Sequence, residues 1–518
     1  MRRVNYKVII SLILLTSLGT FFRIYHLGSQ SIWLDESCAF FRANNNLLKL
    51  WTNQINESSP PLYDIILHYW LKFFNKGEFQ LRLLSAIFGI LLVPLSFIVS
   101  NYIFNQRVAL FSTLLVAISP YHIYYSQDAK MYTLLSFLSL GSFFVFYLAL
   151  NKARIIYWCI YIIITVLLLY CHNYGFLLVV TQAAIFIFLY KIYHKNLFKF
   201  LLSQLIIIFL SIPRIICLSQ QISMNMNPWI NYPRAIDIIK TFTHFSLLSW
   251  RLPKHFLVVM AMIIGLPIFI FVFSSAILIK VECREKKSFY FDCYEKYVFF
   301  FASLIIPLII ALLISLKKPI YVAGRYDMLV FPFFCQVIAL GLDRINSDTL
   351  RKILLFGIVI STVFCLYVYY FIYWKSNDRL IAEYIKTYAN RDDVLIFTNL
   401  TINPFRYYCS GKEFTNVFAF PEGTSGYLQR SALKAEPGYV KFNIQKLKNK
   451  AFSLLNDKNK LWLIKSYSLQ INSLLINELR HHFQLNERIK FNPGNNGNQI
   501  TEIYIFSRHT KEVNSSSR

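Results

Sequence analysis

Acidic side chains are scarce in most of this 518-residue chain. Only 14 Asp and Glu fall in the first 374 residues, while the remainder carries 12. Charged residues of both signs make up 15% and hydrophobic residues 56%, with 17% aromatics and a mean hydropathy of +0.46. That balance excludes a soluble globular enzyme and implies a polytopic membrane protein. Nine cysteines form an odd set. Most lie inside apolar runs (Cys159, Cys217, Cys335, Cys365), where thiols act as small apolar groups, so a disulfide framework is not expected. Cys283 and Cys293 have no His or Cys at zinc-site spacing, and no metal site is read. No helix of the last segment opens on a GxGxxG or P-loop pattern, so nucleotide binding there is unsupported. No repeat of the kind that builds two-halved transporters is visible.

Basic residues are abundant instead, 53 against 26 acids, for a formal charge of +27. They are dispersed between apolar spans rather than gathered on one stripe. This argues against nucleic acid as a partner and for membrane lipid headgroups. The apolar runs predict eleven spans, at 8–22, 81–104, 108–125, 131–150, 155–171, 173–190, 200–218, 255–279, 297–316, 326–342 and 353–374. The first resembles a signal peptide but lacks a small-x-small cleavage site, so it is read as an uncleaved helix. With the basic amino terminus in the cytoplasm, the connections at 105–107, 151–154, 191–199, 280–296 and 343–352 are cytoplasmic, and each carries Lys or Arg. The expected setting is a multi-pass inner (plasma) membrane protein. Its long first loop (23–80), the turn at Asp128, the 220–254 loop and everything after Trp374 would then face outward.

After Trp374 the composition shifts to 21 Lys and Arg with 12 Asp and Glu. Helices are expected at 378–390, 445–456 and 474–483, and strands at 394–398, 461–465 and 501–506. These elements predict two domains: a membrane domain over 1–374 and an extracytoplasmic α/β domain over 375–518. The tail 513–518 is expected to be disordered.

Against this apolar background the acids stand out. Trp33-Leu34-Asp35-Glu36 lies just past the first span, and Asp128 lies in Tyr125-Ser126-Gln127-Asp128-Ala129-Lys130-Met131-Tyr132. An ionisable group near the bilayer is costly, which makes both blocks functional-site candidates. Between them, Pro60-Pro61 cannot continue a helix and forces a rigid extended turn.

Six ordered segments, "IYHLGSQSIWLDES", "SSPPLYDIILHYW", "LRLLSAIFG", "SPYHIYYSQDAKMYTLL", "YCHNYGFLLVV" and "GRYDMLVFPFF", resemble the successive blocks of bacterial family 39 glycosyltransferases. These are GT-C-fold relatives of the dolichyl-phosphate-mannose protein mannosyltransferases and of the lipid A aminoarabinose transferase. The resemblance spans about residues 20–340. It implies a GT-C membrane enzyme that moves one sugar from a polyprenyl-phosphate carrier to a lipid, glycan or protein acceptor at the outer face, with no nucleotide, metal or other cofactor in the chemical step. Carried onto this chain, the first-loop acid is Asp35 with Glu36 beside it, and the acid of the second outer turn is Asp128. Many relatives have Arg where this chain has Lys130, which keeps the charge without the bidentate fork.

The chemistry agrees with those roles. Displacing a phosphate from an anomeric carbon needs a base for the acceptor proton and cations for the leaving phosphate. One carboxylate would be the base, and the other would orient the acceptor. Lys130, Arg82 and Arg325 would form the phosphate clamp, with His68, Tyr132, His172 and Tyr326 lining the pocket. Other readings stay open. Asp35-Glu36 could be a solvated pair, Asp128 a cap for a helix starting near Ala129, Arg82 and Arg325 interface anchors, His68 and His172 hydrogen-bonded structural residues, and Tyr132 and Tyr326 belt aromatics. A transporter or flippase for a lipid-linked saccharide is the alternative function.

Overall fold

A computed structural model describes residues 5–52, 54, 57, 59–224, 230–248, 251–277, 287–398, 401–409, 414–420, 444–450, 452–455, 459–466, 470–491 and 501–508. Cys283 and the tail 513–518 lie outside the described residues. The chain folds as two compact units. One comprises residues 1–29 and 42–372, and the other 30–41 and 373–518. The boundary expected from composition falls close to the second junction. The short segment around the first acid pair nevertheless belongs to the later unit.

The first unit is helical. Among the described residues seven helices are long and apolar enough to cross a membrane: Tyr6–Ile24, Glu78–Ile103, Tyr132–Lys152, Tyr190–Ser223, Phe256–Ile277, Glu295–Ser315 and Asp348–Phe371. An eighth crossing forms if Gln106–Ile118 and Pro120–Ser126, bent by 55°, count as one. The expected eleven spans are therefore not confirmed, although each expected segment contains a helix. Ile155–Cys171 has 17 residues, Gly175–Phe188 has 14 and Phe331–Arg344 has 14. At 1.5 Å per residue a 14-residue helix is only about 21 Å long, short of the roughly 30 Å hydrocarbon layer. Hydropathy alone registered the apolar runs but not where helix geometry stops.

The 55° bend follows from local chemistry. Pro120 cannot continue the preceding helix but suits a first helical position, and the Ser119 hydroxyl accepts from the His122 N–H at 3.3 Å. Carbonyls freed at the end of the earlier helix meet the buried Arg23 guanidinium, at 2.8 Å for Val116 and 3.0 Å for Ala117. Gly89 lets the Glu78–Ile103 helix come close to this bend, since a Cβ there would lie 2.2 Å from the Ser126 hydroxyl.

The second unit holds a five-stranded sheet: β1 (Val394–Thr398), β2 (Asn416–Phe420), β3 (Leu461–Ser466), β4 (Phe483–Phe491) and β5 (Thr501–Arg508), in the order β2-β1-β3-β5-β4. β1 is parallel to β2 and β3, while β5 is antiparallel to β3 and β4. Alternate residues face opposite ways, so Val394, Ile396, Leu461 and Leu463 feed one core and Leu395, Phe397, Trp462 and Ile464 the other. β1 is buried on both faces and reads as a continuous apolar run. The edges β2 and β4, and the short helix Ile402–Tyr408, were not expected from the sequence. β4 is polar and broken by an irregularity at Leu485/Glu487, which blurs its two-residue period. The expected helix at 445–456 falls partly outside the described residues.

Candidate active site

In the helical unit the Asp128 turn is tied down from two sides. Ser85, on the Glu78–Ile103 helix, meets the Tyr63 hydroxyl at 2.7 Å and donates to the Lys130 carbonyl at 3.0 Å, while Thr133 donates to the Ser85 carbonyl at 2.8 Å. On the other side the Gln127 amide donates to the carbonyls of Phe22, Arg23 and Tyr25, and Tyr369 donates to its oxygen at 2.9 Å. Asp128 and Lys130 are both buried in this turn. The following helix starts at Tyr132, with Met131 rather than Asp128 at the N-cap position. Arg82 is buried in the first turns of its helix and donates to the Leu27 carbonyl at 3.0 Å.

The loop before the double proline is pinned by an ion pair that sequence reasoning missed. The Arg42 guanidinium bonds both oxygens of buried Asp64, at 2.7 and 3.3 Å, and reaches Glu57 at 3.4 Å. Burial pushes the Glu57 carboxyl above its ordinary value, with Arg42 pulling the other way and Lys130 within electrostatic reach. His68 is bonded through Nδ1 to the Ala43 carbonyl at 2.7 Å and thus fixes the loop.

A second group forms around Arg325. Its Nε donates to the Tyr132 hydroxyl at 2.5 Å, and its guanidinium lies 5.7 Å from the Tyr132 ring centre and 5.9 Å from that of Tyr326. The His172 ring packs 5.0 Å from Tyr326 and 6.4 Å from Tyr132. Three of the four expected pocket residues are therefore brought together with Arg325, and His68 is not. Tyr125 joins the two groups: its ring lies 4.8 Å from Tyr132, and both Asp128 and Arg325 are within its electrostatic reach.

The turn that presents Arg325 is organised by Asp327, also missed. Its buried carboxylate accepts from Tyr121 at 3.1 Å, Thr241 at 2.6 Å and the Gly324 N–H at 2.7 Å. Gly324 has φ +66°, and a Cβ there would lie 2.1 Å from the His244 ring, so only glycine fits. An acid within an apolar run was the available signal for Asp327, the same signal that marked Asp128.

Asp35 and Glu36 lie in the other unit, in the first turn of Leu34–Ala43. Glu36 is fully buried with its Oε1 3.6 Å from the Nζ of buried Lys375, and its Oε2 accepts from the Trp33 N–H at 3.4 Å. The Tyr408 hydroxyl receives the Ile32 N–H at 2.7 Å, which holds the same segment against this unit. Asp35 is half-buried. Lys375 lies far along the chain from Glu36, and no local pattern could have announced it.

This arrangement of helices, with a buried acid just past a broken span and a separate small sheet unit, is the GT-C fold. The chain is similar to ArnT from Cupriavidus metallidurans, with a TM-score of 0.58 at 11% identity over 95% of this chain and 97% of that one. A second ArnT structure, bound to undecaprenyl phosphate, gives 0.55 at 11% identity with the same coverage. The Archaeoglobus fulgidus oligosaccharyltransferase AglB, in complex with an inhibitory peptide and a dolichol-phosphate, gives 0.53 at 12% identity over 89% of this chain and 69% of that one. Residues 58–216 match the family described as dolichyl-phosphate-mannose-protein mannosyltransferase. No curated protein sequence matches the chain.

Proposed function

We propose that the chain is an inverting glycosyltransferase that moves a sugar from a polyprenyl-phosphate-linked donor to a lipid, glycan or protein acceptor at the outer face of the inner membrane. The observation that carries this reading is the buried Asp128–Lys130 turn, cross-tied through Ser85 to the helix that bears Arg82. The donor class is supported by the undecaprenyl phosphate and dolichol-phosphate held by the similar structures.

In this reading Lys130, Arg82 and Arg325 grip the donor phosphate and stabilise it as it leaves. Tyr132 and Tyr326 bracket Arg325 and hold its charge in place. A carboxylate takes the acceptor proton while the acceptor oxygen attacks the anomeric carbon in line, which inverts that centre. Asp128 is one of the two acids assigned to this step and Asp35 the other, the latter on the resemblance. Glu36 is instead a positioning residue, held by Lys375.

Transfer from a short-chain polyprenyl-phosphate sugar, measured for the wild type and for Asp35→Asn and Asp128→Asn, tests the proposal. Loss of turnover with insertion and folding intact is expected. Near-normal transfer in either variant removes that carboxylate from the chemistry. For topology, a carboxy-terminal reporter that fluoresces only in the cytoplasm should stay dark, and a bright one overturns the outward placement of the second unit.

A further inference from the structure

Arg214 lies in the Leu197–Ser223 helix, directly after Pro213, and is buried in the apolar unit. One guanidinium nitrogen is engaged: Nη2 donates to Asn173 Oδ1 at 2.5 Å and to Gln221 Oε1 at 3.0 Å. Both partners are neutral amides. Cys217, another wall of the same cavity, is within reach of the guanidinium, but among the described residues no carboxylate pairs with Arg214, and its Nε and Nη1 have no nitrogen or oxygen partner. A buried cation with no carboxylate partner is costly, so the arrangement calls for an anion.

Arg214 lines a cavity of about 350 Å³ whose other walls include Trp51, Gln54, Pro61, Tyr170 and Ile216. The size suits a phosphate with a short stretch of attached carbon chain. The Trp51 and Tyr170 rings stack with centroids 6.0 Å apart and planes 16° apart, forming an apolar wall with polar tips. Trp51 and Ile216 are exposed, as are Ile212 and Ile215 on the same helix, which gives the cavity a lipid-facing flank. Gln221, bonded to Arg214, ties the helix to the loop behind the cavity wall: its amide donates to the carbonyls of Gln54 at 2.7 Å and Glu57 at 2.6 Å. The contacts to Asn173 and Gln221 thus fix the guanidinium plane before any ligand arrives.

We propose that this cavity binds the phosphate of a membrane amphiphile of net negative charge, with Arg214 as its anchor and the Trp51–Tyr170 wall against the first carbons of its chain. Arginine presents a planar fork matched to phosphate oxygens, and interfacial Trp and Tyr suit the depth at which lipid phosphates lie. The site shares no residue with Lys130, Arg82 or Arg325. It adjoins them through Asn173, next in the chain to His172, whose ring packs on Tyr326. Two sources have this chemistry, bilayer phospholipid and the polyprenyl carrier itself.

Native mass spectrometry of the purified full chain tests the proposal, with phosphatidylglycerol, farnesyl phosphate and phosphatidylcholine as probes. The wild type should retain one phosphatidylglycerol, or one farnesyl phosphate beyond any held at Lys130, Arg82 and Arg325. Arg214→Gln should weaken that retention at least tenfold, and Arg214→Lys should restore part of it. Ile216→Trp, which fills the cavity and leaves the arginine in place, should also abolish retention and decides the matter if Arg214→Gln fails to fold. Arg214-dependent retention of farnesyl phosphate alone assigns the carrier, and Arg214-dependent retention of phosphatidylglycerol alone assigns bilayer phospholipid. Wild-type retention in both Arg214→Gln and Ile216→Trp, or equal retention of phosphatidylcholine, overturns the proposal. The readout is binding, so its failure leaves the transferase reading standing, and an Asp128→Asn enzyme that loses transfer should still hold the lipid.

Discussion

The two ends of the helical unit handle charge in opposite ways. At the end reached by the carboxy termini of the Glu78–Ile103, Tyr132–Lys152 and Phe331–Arg344 helices, charges such as Arg107, Asp343, Asp348 and Lys352 stay in touch with solvent while they pair. Asn105 donates to Asp343 at 3.0 Å, Arg107 lies 3.6 Å from the same acid, and Lys352 meets Asp348 one helical turn away at 2.9 Å. Exposed pairs of this kind contribute little, typically about 0–1 kcal/mol each. At the opposite end Arg82, Asp128, Lys130 and Asp327 are buried, and Arg82 reaches the Leu27 carbonyl while Asp327 takes the Tyr121 and Thr241 hydroxyls, all distant in the chain. Burial of that kind costs stability unless it is well compensated. The contrast teaches that charge at the first end organises the protein surface, whereas at the second it is kept at a cost that the proposed transfer chemistry would explain.

The strongest way to break this contrast is Asp128→Asn. The near-isosteric amide should leave insertion intact while lowering turnover at least about a hundredfold, the scale of losing a general base. A steady-state assay with a short-chain polyprenyl-phosphate sugar reads it, and retained turnover would make the buried acid structural.

Next in size is Asp327→Asn. Its carboxylate accepts from Tyr121, Thr241 and the Gly324 N–H, bonds that shape the Arg325 turn, so an amide that must donate on one side should disturb the presentation of Arg325. The expected result is a stability loss of about 1–3 kcal/mol together with weaker donor use, seen as a raised KM for the donor at a less altered KM for the acceptor. Equal effects on both substrates would separate Asp327 from the phosphate clamp.

Gln at Lys130, Arg82 or Arg325 should likewise weaken donor use more than acceptor use. Lys130→Arg sharpens the point, because it should keep activity if the position meets phosphate, whereas a tight lysine-shaped structural contact would reject the larger fork. Donor titrations of the two Lys130 variants decide between these.

The smallest effect is expected at the other end. Asp343→Asn should change stability by no more than a surface substitution does, within about 0.5 kcal/mol as read from the thermal midpoint, and leave transfer untouched. A large loss there would erase the distinction between the ends.

Much of this contrast is legible in the sequence. Long apolar runs announce the helices, because every spanning backbone must satisfy its own hydrogen bonds. An acid inside such a run announces Asp128. Three expected spans proved short because hydropathy counts apolar residues and does not see where a helix ends. Arg42 with Asp64 and Glu36 with Lys375 escaped because each pair is made by tertiary packing, with no spacing rule joining the partners. Asp327 lay in a recognised segment, but its work is done through Thr241 and Tyr121, which no sequence pattern brings together. In the second unit the buried strands were readable, while the polar edge β4 was obscured by its irregularity.

The bend between Gln106–Ile118 and Pro120–Ser126 has a dynamic consequence. A helix broken by proline in an apolar environment ordinarily leaves loose carbonyls and a place to flex. Here the Arg23 guanidinium takes those carbonyls and also touches His122 Nδ1 at 2.9 Å, so the two pieces are spliced by a side chain from another helix. The joint therefore behaves as a rigid elbow. Amides from Ile123 to Gln127 should exchange with deuterium as slowly as those of the unbroken helices around them, and removing Arg23 should make this stretch open first.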